Sequence, residues 1–130
     1  MFEENSVRLE VGIVSLGLQL DQLKFETIGL LAQQTAAKEE IELIKASYER
    51  LEKLQSSGSI EKSKLDEVQR DLSRMQGQLG ELTAKLAGNE TRKRELALER
   101  DRLMVTAKAE AHRDLRVLEP KLAELRQQLI

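Results

Sequence analysis

Apolar residues recur every three or four positions along most of the chain, and this spacing predicts two long helices. The first helix is expected over about residues 7–56 and the second over about residues 63–129. We predict an all-α fold, a long antiparallel two-helix coiled-coil hairpin whose tip is residues 57–62. The predicted seam of the first helix is Leu9, Ile13, Leu16, Leu20, Leu23, Thr27, Leu30, Gln34, Ala37, Ile41, Ile44, Tyr48, Leu51 and Gln55.

The segment between the two series has the residues of a turn. Gly58 suits the left-handed conformation that closes a helix. Ser59 or Ser63 would cap the second helix, and Ser63 with Asp66 three residues later would form a capping box. A glycine turn between two apolar seams predicts a helical hairpin.

The second helix contains a weak middle. Its seam begins in register, fades across residues 88–95 and returns one residue out of phase from Met104 onward. A four-residue stutter in one long helix accounts for this slip. The alternative is a true break, with Gly88 ending one helix and Asn89 starting another. The late seam is Met104, Ala111, Leu115, Leu118, Leu122, Leu125 and Leu129.

Antiparallel pairing about the turn requires partner residue numbers that add up to roughly 117. Gly29 would then approach Gly88, and Ala37 would approach Gly80, so we expect unusually close helix packing there. Residues beyond about 112 would lack a partner in the first helix, which leaves their leucines uncovered. Another copy, or other parts of a larger protein, should cover them.

The first half of the first helix carries a second apolar stripe, which predicts packing against a further neighbour. Residues 7–20 also alternate between apolar and polar positions and contain Gly12 and Gly17, so a strand is the alternative there. The stripe is Val7, Val11, Val14, Leu18, Phe25, Ile28 and Ala32.

Composition and charge argue against a compact enzyme. Aromatic residues make up only 2% of the 130 residues, a single proline leaves little to interrupt a helix, and 34% of the residues are charged. The net charge of −2 gives no basic field for nucleic acid, and there is no cysteine to form a disulfide or a thiolate metal site. Residues 1–57 carry 6 basic and 10 acidic side chains, whereas residues 58–130 carry 15 and 13. This modest complementarity favours pairing of the two helices, and the alternative is a chance imbalance on a solvated surface.

No residue cluster predicts catalysis, a cofactor or a metal. His112 is the only histidine and has no cysteine or histidine partner for a metal. Gly77, Gly80 and Gly88 follow no strand and precede no lysine–serine step, so they form no phosphate loop. The basic run at residues 92–94 is interleaved with acidic residues, as on a solvated helix surface.

Two segments of the sequence are distinctive. The first is the tip, Tyr48 to Leu72, which reads YERLEKLQSSGSIEKSKLDEVQRDL and resembles the tip of the helical hairpin of bacterial membrane fusion proteins, the periplasmic adaptors of export machines. The second, Ala109 to Leu129, reads AEAHRDLRVLEPKLAELRQQL and resembles the returning helix of the haemolysin D-type branch, which serves type I secretion. The resemblance implies a non-enzymatic fragment of a larger, inner-membrane-anchored periplasmic adaptor.

The resemblance also implies partners and contact residues. Such adaptors link an inner-membrane ABC-type transporter to a TolC-like outer-membrane channel and assemble side by side as rings. In many efflux adaptors an arginine, a leucine four positions later and a serine seven beyond that contact the channel; Arg50 and Leu54 match, whereas Glu61 departs from the pattern. The expected partner-binding tip is Arg50, Leu54, Gly58, Ile60, Glu61 and Leu65.

Two other interpretations remain open at the level of sequence. A cytosolic coiled-coil tether needs only the seam, so any flexible turn in place of residues 56–61 would leave it functional. A membrane-surface helix would use the apolar stretch from Val7 to Leu31, but that stretch lacks the basic polar face typical of such helices.

Overall fold

Two helices joined by a short turn form the hairpin that the apolar spacing predicts. The computed structural model describes the backbone of residues 2–129 and the side chains of residues 4–129. Helix α1 spans Phe2–Ser56 and helix α2 spans Lys62–Leu129. The all-α hairpin is therefore confirmed. The strand alternative for residues 7–20 is wrong, because leucines at helical spacing form the contact face there and neither Gly12 nor Gly17 interrupts α1.

The chain divides into two compact units. The tip unit is Lys24–Thr91 and contains the turn, whereas the terminal unit combines the described residues up to Leu23 with those from Arg92 onward. Every buried side chain among residues 4–129 is apolar, since only the contact face of each helix excludes water. These side chains are Ala37, Ile41 and Leu65 in the tip unit, and Leu16 and Leu96 in the terminal unit.

Contacts between the helices agree with the predicted pairing register. In the tip unit, Gln34 Nε2 donates a hydrogen bond of 3.2 Å to Thr83 Oγ1. In the terminal unit, a Cβ built on Gly12 would lie 3.1 Å from Leu103 Cδ1. The partner numbers of these two contacts add up to 117 and 115, against the predicted value of roughly 117.

The predicted close packing at Gly29, Gly80 and Gly88 is wrong. A Cβ built on any of these three glycines would meet nothing within 4 Å. They lie on exposed or outer parts of the helices, so the missing side chain brings no neighbour nearer. The close approach occurs instead at Gly12, where an added methyl group would press on Leu103.

Helix α2 contains neither the break nor the stutter considered for residues 88–90. It is continuous from Lys62 to Leu129, and its less exposed positions keep the alternation of three and four residues through the weak middle. Met104 and Ala111, the first two residues of the predicted late seam, are exposed. The apolar pattern of the sequence did not show this continuous contact face, because polar side chains occupy several of its positions. The face towards α1 is Leu86, Asn89, Leu96, Arg100, Leu103 and Ala107.

The stripes expected to need outside cover are exposed. On α1, the exposed fraction ranges from 55% at Ile28 to 72% at Phe25 among the large apolar members of the stripe. On α2, Leu115, Leu118, Leu122 and Leu125 are each more than half exposed. These apolar faces therefore remain available for partners.

Candidate partner-binding tip

The turn at the end of α1 is a Schellman motif centred on Gly58. Gly58 has a φ of +78°, as predicted for a left-handed residue that closes a helix. Its N–H donates to the Gln55 carbonyl at 2.9 Å, and the Ser59 N–H donates to the Leu54 carbonyl at 2.8 Å. These two bonds satisfy carbonyl groups that the last turn of a helix otherwise leaves unpaired, so the tip has a defined backbone.

Serine hydroxyl groups complete the hydrogen bonding of this turn. Ser57 Oγ donates to the Leu54 carbonyl at 2.8 Å and lies 3.0 Å from Ser59 Oγ. Ser56 Oγ donates to the Glu52 carbonyl at 3.1 Å. The sequence analysis assigned no hydrogen bond within the turn to these serines, although their density beside Gly58 was the signal for this network.

The predicted capping of α2 by Ser59 or Ser63 is wrong. The helix begins at Lys62, so Ser63 lies within its first turn, where its hydroxyl donates to Glu61 Oε2 at 3.3 Å. The Lys64 N–H donates to the Glu61 carbonyl at 3.2 Å. Glu61 thus occupies the position before the helix, where a carboxylate interacts favourably with the helix dipole.

The residues proposed for partner binding differ in their access to solvent. Gly58 and Glu61 are exposed, and Ile60 is half-buried. Arg50 is exposed and donates to Ser47 Oγ at 3.3 Å, while Leu54 is 44% exposed. Leu65 is only 6% exposed. The accessible surface at the tip is therefore Arg50, Leu54, Gly58, Ile60 and Glu61, and Leu65 contributes to the packing beneath it.

Nothing at this tip resembles a catalytic pocket. Among the described residues, no group of three or more histidine, cysteine, aspartate or glutamate side chains is placed to hold a metal. His112 is exposed on α2, outside the tip unit. The chemistry that the tip offers is a guanidinium group, a carboxylate and two apolar side chains on a defined turn, which suits contact with another protein.

We expect replacement of glycine by alanine to have opposite effects on stability in the turn and in the middle of a helix. Gly58→Ala should lower the free energy of unfolding by about 1 kcal/mol, because alanine is strained at positive φ. Gly77→Ala should raise it by about 0.5–1 kcal/mol, since Gly77 is helical and an added Cβ meets nothing within 4 Å. Urea unfolding followed by circular dichroism measures both. Equal effects of the two changes would contradict the left-handed turn.

The fold and tip define a class of protein: a coiled-coil hairpin that presents a structured turn. A family model described as AprE, long alpha-helical hairpin, matches residues 1–130. The chain therefore belongs to this family of helical hairpins. No curated protein and no solved structure gave a match.

Membership confirms the expected helical hairpin of a type I secretion adaptor. Adaptors of this family are periplasmic and anchored in the inner membrane at full length. Within residues 2–129, no helix has the length and apolar character needed to cross a membrane. The family and the all-helical fold suggest a non-catalytic protein that acts in a type I secretion assembly.

Proposed function

We propose that this hairpin links an inner-membrane ABC-type transporter to a TolC-like outer-membrane channel during protein secretion. Its tip docks on the channel, and hairpins of neighbouring copies lie side by side in the assembled adaptor. The transporter is reached through other domains of a larger adaptor, of which this hairpin would be one part. The family match supports the secretion role, and the structured tip supports the docking role.

The observation that carries the docking role is the exposure of Arg50 and Leu54 on the last turns of α1, beside the Schellman motif. An arginine and a leucine four residues apart lie on the same face of a helix. Arginine is enriched among the residues that dominate protein interfaces, and a partly exposed leucine beside it adds apolar contact area. Because Leu54 also supplies the carbonyl group bonded by Ser59 and Ser57, its backbone is held while its side chain stays accessible.

Glu61 gives this tip a charge pattern different from that of efflux adaptors, which carry serine at the matching position. Glu61 is exposed, and the exposed Lys62 and Lys64 follow it one and three residues later at the start of α2. A channel that accepts this tip would need a basic or polar group facing Glu61. This expectation fits a channel of the secretion branch and not one matched to an efflux adaptor.

The test is export by cells that carry the full-length adaptor with Arg50→Ala and Leu54→Ala combined. Loss of two central contacts should lower the amount of exported protein by about tenfold or more, which corresponds to about 1.4 kcal/mol of binding. Circular dichroism of the purified hairpin should show unchanged helicity, since both side chains lie outside the buried seam.

A matched control is Leu43→Ala combined with Lys45→Ala. It removes a 70% exposed leucine and a basic residue from α1, five or more residues before Arg50, and should leave export unchanged. Normal export by the Arg50 and Leu54 double variant would remove the tip from the mechanism. If a flexible turn in place of residues 56–61 is also harmless, the chain acts as a tether that needs only its seam.

A further inference from the structure

The terminal unit carries an exposed apolar patch on each of its helices, and both patches face away from the seam. The α1 patch is Val7, Val11, Val14 and Leu18, each between 57% and 66% exposed, along a shallow groove of about 550 Å³. The α2 patch is Leu98 and Val105, which are 65% and 69% exposed.

The position of each patch follows from the buried residue beside it. Leu18 comes two residues after buried Leu16, and Leu98 comes two residues after buried Leu96. Two residues turn about 200° around an α-helix. The two patches therefore lie on opposite outer sides of the same unit.

The two patches also match in the separation of their residues along the chain and in their level, that is, their position along the helix axis. Val11 and Leu18 are seven residues apart on α1, and so are Leu98 and Val105 on α2. In the register that the Gly12–Leu103 contact defines, Val11 is level with residue 104 and Leu18 with residue 97. Each α2 patch residue is thus within one residue, about 1.5 Å, of the level of its α1 counterpart.

We propose that the α1 patch of one copy binds the α2 patch of a second copy, with the two hairpins parallel and side by side. Val11 then packs on Val105 of the neighbour, and Leu18 packs on Leu98 of the neighbour. This interface assigns residues to the side-by-side assembly within the proposed function and rests on it. Because the contact joins two different faces, each copy keeps one patch free for the next copy, as in a ring.

Charge favours this occupant over a contact between identical faces. Residues 1–57, which include α1, carry a net charge of −4, and residues 58–130 carry +2. Two α1 faces would repel each other, whereas α1 against α2 brings opposite charges together. Glu10 borders the α1 patch, and the exposed Asp101 and Arg102 lie between Leu98 and Val105; Asp101 lies 3.8 Å from the Arg100 guanidinium, which leaves Arg102 as the basic group for Glu10. The levels of Glu10 and Arg102 differ by about three residues, roughly 4.5 Å along the axis, which long side chains span.

Disulfide cross-linking between copies tests the interface directly, because the described chain has no cysteine of its own. Purified chains with Val11→Cys are mixed with chains carrying Val105→Cys, and chains with Leu18→Cys with chains carrying Leu98→Cys. Both mixtures should give cross-linked heterodimers. The staggered mixture of Val11→Cys with Leu98→Cys, offset by about 10 Å, should give at least tenfold less product.

Three results would overturn the interface: no cross-linking in any mixture, equal yield from the staggered pair, or preferential cross-linking between two Val11→Cys chains. A charge test adds a second readout. Glu10→Arg in the Val11→Cys chain should lower the yield several-fold, and Arg102→Glu in the Val105→Cys chain should restore it. Failure of this rescue, with normal helicity, would contradict the charge contact and the register that it requires.

This experiment is independent of the tip test, because it uses purified hairpins without a channel. Level-specific cross-links with normal export by the Arg50 and Leu54 double variant would keep the interface and reject tip docking. Lost export without cross-links would reject the interface and keep tip docking.

Discussion

Replacing Leu96 with alanine is expected to lower the free energy of unfolding by about 2–3 kcal/mol. Leu96 is the least exposed core residue, at 3%, in a part of α2 that the hydropathy pattern marks as weak. A Leu→Ala change in a core costs about 2–5 kcal/mol, because it loses apolar burial and leaves a cavity. The lower end applies here, since a seam only two helices wide can collapse around the missing side chain. Urea unfolding followed by circular dichroism would measure the change.

Leu98→Ala is the matched control for this prediction. It makes the same change on the same helix two residues later, at a side chain that is 65% exposed. We expect a loss of less than about 0.5 kcal/mol for the isolated chain, as for ordinary surface substitutions. A similar loss at both positions would mean that Leu96 does not lie in the seam. The control should be run at low protein concentration, where contacts between copies do not contribute.

Replacing Asn89 with leucine is expected to stabilise the chain by about 1–3 kcal/mol. The Asn89 side-chain nitrogen Nδ2 is buried and has no hydrogen-bond partner. A buried donor without a partner costs about 1–3 kcal/mol, and leucine would remove that donor and add apolar contact. The free energy of unfolding of the variant in urea provides the measurement.

Gln76→Leu is the control for Asn89→Leu, because it also replaces an amide on α2 of the tip unit, at an exposed position. It should change the free energy of unfolding by less than about 0.5 kcal/mol. Destabilisation by Asn89→Leu would show that the amide has a favourable contact in solution. A polar residue in a coiled-coil seam also fixes register, so the stabilised variant should tolerate alternative pairings more readily.

The turn and the tip half of the seam were predictable from sequence because their residues obey local rules. Within residues 2–129, Gly58 is the only glycine with positive φ, and a glycine between two apolar series is a strong signal for that conformation. Ala37 and Ile41 continue the predicted seam of α1, and Leu65 opens the seam of α2. The position of the turn also sets the pairing register, because the residues of α1 and α2 pair in order of their distance along the chain from Gly58.

The weak middle of α2 was not predictable by counting apolar positions. Asn89 and Arg100 occupy contact positions, so the apolar pattern loses its phase there and Met104 becomes a false continuation. Extending the spacing of three and four from Leu86 without regard to polarity would have found Leu96 and Leu103. The predicted cap at Ser63 was wrong for a different reason. A difference of two residues in the start of α2 decides whether Ser63 lies before the helix or inside it, and sequence patterns do not fix helix ends that closely. Contact of the tip with a channel stays a prediction, since it depends on a second protein.

The pairing register has a consequence for folding during synthesis. Gln34 and Thr83 are separated by 49 residues along the chain, and Gly12 and Leu103 are separated by 91. At about 5–20 residues per second, these intervals are roughly 2–10 s and 5–18 s. The cost of closing a loop rises with its length, so pairing should begin beside Gly58 and proceed outward like a zipper. Within this hairpin, the residues of α1 that are made first are therefore the last to find their partners, and their valines and leucines stay exposed the longest during synthesis.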